Sequence, residues 1–186
     1  MKWMKLVAMV LLGTTWLEAA AYAQSTNLYR TDIEAFEAQT NVVVVKGYGT
    51  AGTVSMGSSI LSIRLKESFT PDATGKLQAL VLDCSDGGGR EWAVIDYAEI
   101  DSLLRGIDYI RSATYDVTGL PGFEADYQTK GGFRVIGVGS HRQSAVQTYV
   151  QFDGYRRIPL DSDQISQLRN QIAQARQTLD ELKSPK

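Results

Sequence analysis

Ala93-Val94-Ile95-Asp96-Tyr97-Ala98-Glu99-Ile100-Asp101-Ser102-Leu103 is the stretch that decides the fold, because its pattern returns at Pro159-Leu160-Asp161-Ser162-Asp163-Gln164-Ile165-Ser166-Gln167-Leu168. Ile95, Asp96, Ile100, Leu103 and Ile107 match Leu160, Asp161, Ile165, Leu168 and Ile172 at one constant offset. Each copy opens with an aspartate that can cap a helix, and Glu99 or Gln164 three residues on completes a capping box. Ile95 with Ile100, and Leu160 with Ile165, form a hydrophobic staple around each cap. Behind Asp96, the residues Ile100, Leu103, Leu104, Ile107 and Ile110 share one helix face. Two helix starts are therefore predicted, one in each half of the chain.

Upstream of the first copy the chain reads as strands. Residues 27–40 come before them and predict a short amphipathic helix, with Thr31 and Glu34 as a capping box and Ile33 and Phe36 on one face. Val42-Val43-Val44-Val45 is β-branched throughout and predicts a strand buried on both faces. Residues 50–59 are rich in Gly, Ser and Thr and predict a loop. Leu61, Ile63 and Leu65 alternate with Ser62, Arg64 and Lys66 as in a half-buried strand. Residues 77–84 and 92–95 predict two more strands, joined at a hairpin tip around Asp86-Gly87-Gly88-Gly89.

Upstream of the second copy the order recurs. Phe123, Ala125 and Tyr127 alternate with polar residues, Lys130-Gly131-Gly132 is turn chemistry, and 133–138 is a strand. Val146, Thr148, Val150 and Phe152 alternate again, and Asp153-Gly154 is the strongest short hairpin signal in the chain. Pro159 marks the returning strand as an edge, or its end. The expectation is an α+β fold of two ββββα units, with curved antiparallel sheets packed by helices. The pseudo-repeats cover 41–113 and 120–183 within one domain at 41–186, after an N-terminal segment at 24–40.

This order, carried by the junctions Val94-Ile95-Asp96…Ile100…Leu103 and Pro159-Leu160-Asp161…Ile165…Leu168, resembles the Whirly and PUR-type folds. The resemblance spans nearly all of the chain after residue 40 in element order. It implies curved four-stranded sheets crossed by helices, and single-stranded nucleic acid bound on sheet surfaces through basic and aromatic side chains. Tyr127, Lys130, Phe133, Arg134, Tyr149, Arg156 and Arg157 supply such side chains. Glu124, Asp126 and Asp153 lie among them, however, and the formal net charge is −2, so nucleic acid is not the expected partner. The alternative fold is a lipocalin-like up-and-down β-barrel with a C-terminal helix, holding an apolar ligand. The helix after Asp96 interrupts the strands halfway and argues against it.

The first 23 residues read as a secretory signal peptide. Lys2 and Lys5 precede the apolar run Leu6-Val7-Ala8-Met9-Val10-Leu11-Leu12, and Ala21-Tyr22-Ala23 has the small-x-small pattern of a cleavage site. The expected mature chain begins at Gln24 and is periplasmic or extracellular. It has no second run long enough to span a membrane as a helix. Cys84 is the lone cysteine, so no disulfide can staple the chain, and its place at the end of an apolar strand predicts burial.

Little in the sequence points to catalysis. His141 is the lone histidine and lies in a polar connection, Gly-x-Ser-x-Gly is absent, and no local signature links Cys84 to His141. The Asp83 to Glu91 stretch has oxygen ligands near a glycine turn but lacks the later bidentate glutamate of a calcium loop. No metal and no cofactor are expected. In the last helix Ile165, Leu168, Ile172, Ala175, Leu179 and Leu182 form a short heptad seam. The helix is expected to cover its own half's sheet in a monomer, with a two-stranded coiled coil as the competing reading. The functional expectation is an exported, soluble, non-catalytic binding or assembly module for a protein or small molecule, with Tyr127, Lys130, Arg134, Tyr149, Arg156 and Arg157 as candidate binding residues. A small apolar-ligand barrel and a hydrolase without a local motif are the alternatives.

Overall fold

Two four-stranded antiparallel meanders, each followed by a helix, make up the computed structural model. It describes residues 29–183 apart from 73, 74, 87, 88, 143, 144 and 155. The signal-peptide reading of residues 1–23 falls outside these. Helix α1 (Asp32–Glu37) precedes the first sheet, which is ordered β1 (Val45–Met56), β2 (Ser59–Phe69), β3 (Lys76–Asp86) and β4 (Gly89–Asp96). A single 3-10 turn (Tyr97–Glu99) leads into α2 (Ile100–Ser112). The second sheet is ordered β5 (Gly122–Gln128), β6 (Arg134–Ser140), β7 (Gln147–Gln151) and β8 (Arg157–Leu160), and α3 (Ser162–Lys183) closes the described chain. Both sheets are open, so the barrel alternative does not hold. No described helix is long and apolar enough to cross a membrane.

The strand faces follow from the alternation. Leu61 and Ile63, Leu80 and Leu82, and Ala93 and Ile95 point to one side of the first sheet and join Ile100, Leu103 and Ile107 of α2 in one buried cluster. Val135, Val150, Ile158 and Leu160 of the second sheet and Ile165, Leu168, Ile172, Ala175 and Leu179 of α3 enter the same cluster. On the opposite face of the first sheet, Ile33 of α1 plugs a small second cluster with Ala79 and Val94.

The helices are exchanged between the halves. α3 lies on β1 and β2 of the first sheet, and α2 lies on β5 and β6 of the second. This corrects the expectation that α3 covers its own half's sheet. The Gln164 and Gln167 side chains donate to the Ser55 and Thr53 carbonyls at 2.9 and 3.3 Å, and Lys76 Nζ donates to the Leu182 carbonyl at 3.0 Å. The helix therefore runs from the β1 edge towards the start of β3. Arg169 forks onto Asp108 at 3.0 and 2.9 Å and ties α3 to α2. The heptad seam, Leu182 excepted, is consumed inside the chain.

Three local readings also change. Val42 and Val43 are 48% and 70% exposed and lie before β1, not in a buried strand. Residues 50–59, read as a loop, form the second part of β1 and the turn into β2, with an irregularity between Thr50 and Gly52 that leaves Ala51 unpaired. Pairing to β2 outweighs the poor strand propensity of the glycines there. Asp153-Gly154 is not a two-residue hairpin turn, since the pairing stops at Gln151↔Arg157 and the connection between them is longer. Phe152 is drawn from it into the core against Phe133, with ring centroids 5.4 Å apart.

Candidate functional site

The Asp96 carboxylate ties the N-terminal helix to the first sheet. Instead of capping α2, it accepts from the backbone N–H of Asp32 at 2.7 Å and of Ile33 at 3.2 Å. It thus takes two of the unpaired donors that open α1. Thr31 and Glu34 close their own capping box on the same turn, as the sequence predicts. Glu99 also turns away from the expected box. Its Oε1 accepts from the backbone N–H of Lys130 at 3.0 Å, in the β5–β6 turn. That turn packs so closely on β4 that a Cβ on Gly131 would overlap the Val94 carbonyl. Only glycine allows this approach.

These ties place α1, β4, the β5–β6 turn and the β7–β8 connection around one open groove of about 660 Å³. Trp92 stands in it on the outward side of β4, 57% exposed, and Tyr29 faces it from the N-terminal side, 40% exposed. Arg30 and Asp153 form an ion pair at its rim, linking the N-terminal segment to the second sheet's β7–β8 connection. Arg90 forks onto Asp83 across the β3–β4 pair, and this guanidinium holds the Asp83 carboxyl below its ordinary value. At the far end, burial pushes the Glu37 carboxyl up. Hydrogen bonds from Lys66, Ser68 and Lys46 outweigh this and hold it below the ordinary value. Lys66 and Glu37 are 2.8 Å apart, with side chains only 9% and 11% exposed.

The predicted binding residues lie elsewhere, and most of their charge is already used. Tyr127 points inward from β5, its ring against Gly106 of α2 and its hydroxyl 2.7 Å from that of Ser102. Arg134 pairs with Asp126, and Arg157 forks onto Glu124 at 2.9 and 3.1 Å. β5 and β8 are the two edges of the second sheet, so the Arg157–Glu124 bridge spans its outer face. Ile136 lies on that face, between Asp126 and Tyr149 in register, and is nevertheless fully buried. Tyr149 donates to Gln147, and Arg156 is exposed in the β7–β8 connection. Lys130 lies next to the groove residue Gly131, 3.8 Å from Asp32.

Cys84 and His141 are not brought together. Cys84 is buried in the core of the first sheet, where desolvation raises its thiol above the ordinary value. His141 is exposed at a turn of the second sheet, edge-on to Tyr115 with centroids 5.9 Å apart. Among the described residues, no three His, Cys, Asp or Glu side chains converge on a metal position. The sequence marks Asp153 only as turn chemistry and an acidic neighbour, and assigns Tyr29, Arg30 and Trp92 to no site. The parity of β4 carries a signal for Trp92, because Ala93 and Ile95 inward put Trp92 outward. Comparison with protein-family models, curated proteins and solved structures gives no match for the chain.

Proposed function

We propose that the protein is an exported, soluble, non-catalytic binding module that holds a peptide segment of a protein partner in the groove between its two halves. The fold is read as a tandem ββββα arrangement of Whirly or PUR type turned to a ligand other than nucleic acid. The observation that carries the reading is the pair of exposed aromatic side chains, Trp92 and Tyr29, facing one groove. Aromatic faces left open to water are anchors for a partner's apolar side chains. The Arg30–Asp153 pair offers both signs of charge at the rim, which suits a peptide better than a purely apolar ligand. Buried Cys84 and exposed His141 support the non-catalytic reading.

Removal of residues 1–23 would leave Trp92 as the sole tryptophan, so its emission reports the groove directly. Pooled short peptides are passed over the immobilised chain and over Trp92→Ala in parallel. Retention by the parent, loss in Trp92→Ala and a Trp92 emission shift with the eluted peptide are expected. Equal retention by both proteins would remove the groove from consideration. A shift caused only by small-molecule extract would replace the peptide with a small ligand. Intact mass of the secreted protein checks export, with a chain beginning at Gln24 expected.

A further inference from the structure

The two halves of β1 are finished differently. From Ala51 onward the strand is covered, with Val54 and Met56 buried and the Thr53 and Ser55 carbonyls bonded by α3 glutamines. Residues 45–48 are exposed whichever face they point to. β1 is the outermost strand of its sheet, and among the described residues no side chain reaches the edge backbone of 45–50. The valines leading into it are also open, Val43 at 70% and Val45 at 38%. The open length is bounded at both ends, by Asn41 at a positive φ of 63° and by the unpaired Ala51. Unpaired edge backbone flanked by exposed β-branched residues is a template for another strand.

We propose that this edge pairs with a second copy of the chain, residues 44–50 running antiparallel to the same residues about a two-fold axis at Gly47. The side chains select that register. It sets Lys46, whose ammonium is held by Glu37 at 2.9 Å, opposite the partner's Tyr48, and does so twice by symmetry, so each lysine stem lies beside an aromatic ring. The Tyr48 ring already takes Arg64 from the β2 side at 5.3 Å and is 57% exposed. Val45 falls opposite the partner's Gly49, and Val44 opposite the partner's Thr50. An axis at Lys46 would instead set the two lysines directly opposite each other, a like-charge cross-strand pair that the Glu37 contacts only partly offset. The product is one continuous eight-stranded sheet, with both peptide grooves left free.

Gly47→Cys tests the axis directly. A Cβ there meets nothing closer than Glu67 at 4.0 Å, so the variant is expected to fold. Under mild oxidation it should form a disulfide-linked dimer, while Ser55→Cys, beneath the Gln164 contact, stays monomeric. Sedimentation over a roughly hundredfold concentration range should show the parent passing from monomer to dimer. Tyr48→Lys, which faces the partner's Lys46, should weaken association by about tenfold or more. Tyr48→Glu at the same exposed position should retain it. Circular dichroism confirms that both fold. The proposal is overturned by a parent that stays monomeric throughout, or by equal cross-linking at 47 and 55. It is also overturned if the lysine and glutamate variants behave alike.

Discussion

Asp96 and Asp161 hold equivalent places, each at the end of a fourth strand and ahead of a helix, yet they act over different distances. Asp161 acts locally, accepting from the backbone N–H of Asp163 and Gln164 at 2.9 and 2.8 Å, while Gln164 returns the contact to its own N–H at 2.9 Å. Asp96 reaches a segment 64 residues away, and Glu99 one 31 residues away. The difference lies in what surrounds each junction. Asp161 is exposed, so its nearest backbone donors have no rival. Asp96 is 4% exposed and faces the Asp32 and Ile33 N–H groups that the Thr31–Glu34 box leaves open, so a buried carboxylate finds two donors there. One sequence pattern thus yields a helix cap at one site and a clamp between distant segments at the other.

Leu168→Ala should give the largest effect on this contrast, a loss of roughly 2–5 kcal/mol for a fully buried leucine. Because α3 lies on β1 and β2, amide exchange should accelerate first in the first sheet. Faster exchange confined to β5–β8 would refute the crossed packing. Glu37→Gln should follow at about 3 kcal/mol, since it leaves the nearly buried Lys66 without its carboxylate. The sign with pH is fixed by the lowered Glu37 and Asp83 values. Their stabilisation is present above the ordinary values of 4.5 and 3.8 and is lost as pH falls through the lower folded-state values. Urea midpoints should therefore drop as pH falls below these values in the parent and drop less in Glu37→Gln. A parallel acid limb would assign the loss to other groups.

Asp96→Ala should cost about 1–3 kcal/mol, because it orphans two N–H donors, one of them buried at Ile33. It should also release α1, read as proteolytic cleavage in the 29–45 region with the sheets intact. Asp161→Ala should cost only about 1 kcal/mol, the value of an ordinary cap. If thermal unfolding shows the two alanine variants equally destabilised, the clamp has no existence beyond a cap.

The periodic parts of the fold were legible because they rest on local physics. Ile100, Leu103, Ile107 and Ile110 face the core as their spacing requires, and the Thr31–Glu34 and Asp161–Gln164 boxes form as written. What was not legible depends on distant partners. Nothing near Asp96 in sequence shows that Asp32 will arrive beside it. Thr53 and Ser55 become strand residues because β2 pairs with them and α3 glutamines cover their edge. The pairing of the charged candidates was hidden for the same reason, since Arg134 and Arg157 meet Asp126 and Glu124 only once the second sheet has formed. The groove is drawn from four segments, so no local motif could mark it.

The crossing of the two helices imposes an order of assembly. A chain made from its N-terminus completes β1–β4 and α2 long before residues 162–183 exist, and in that interval Val54, Leu61 and Ile63 of β1 and β2 lack part of their cover. The first half must wait, exposed to self-association and to holding factors, until the last segment arrives. Truncation anywhere ahead of Ile165 would then damage the beginning of the protein more than its end.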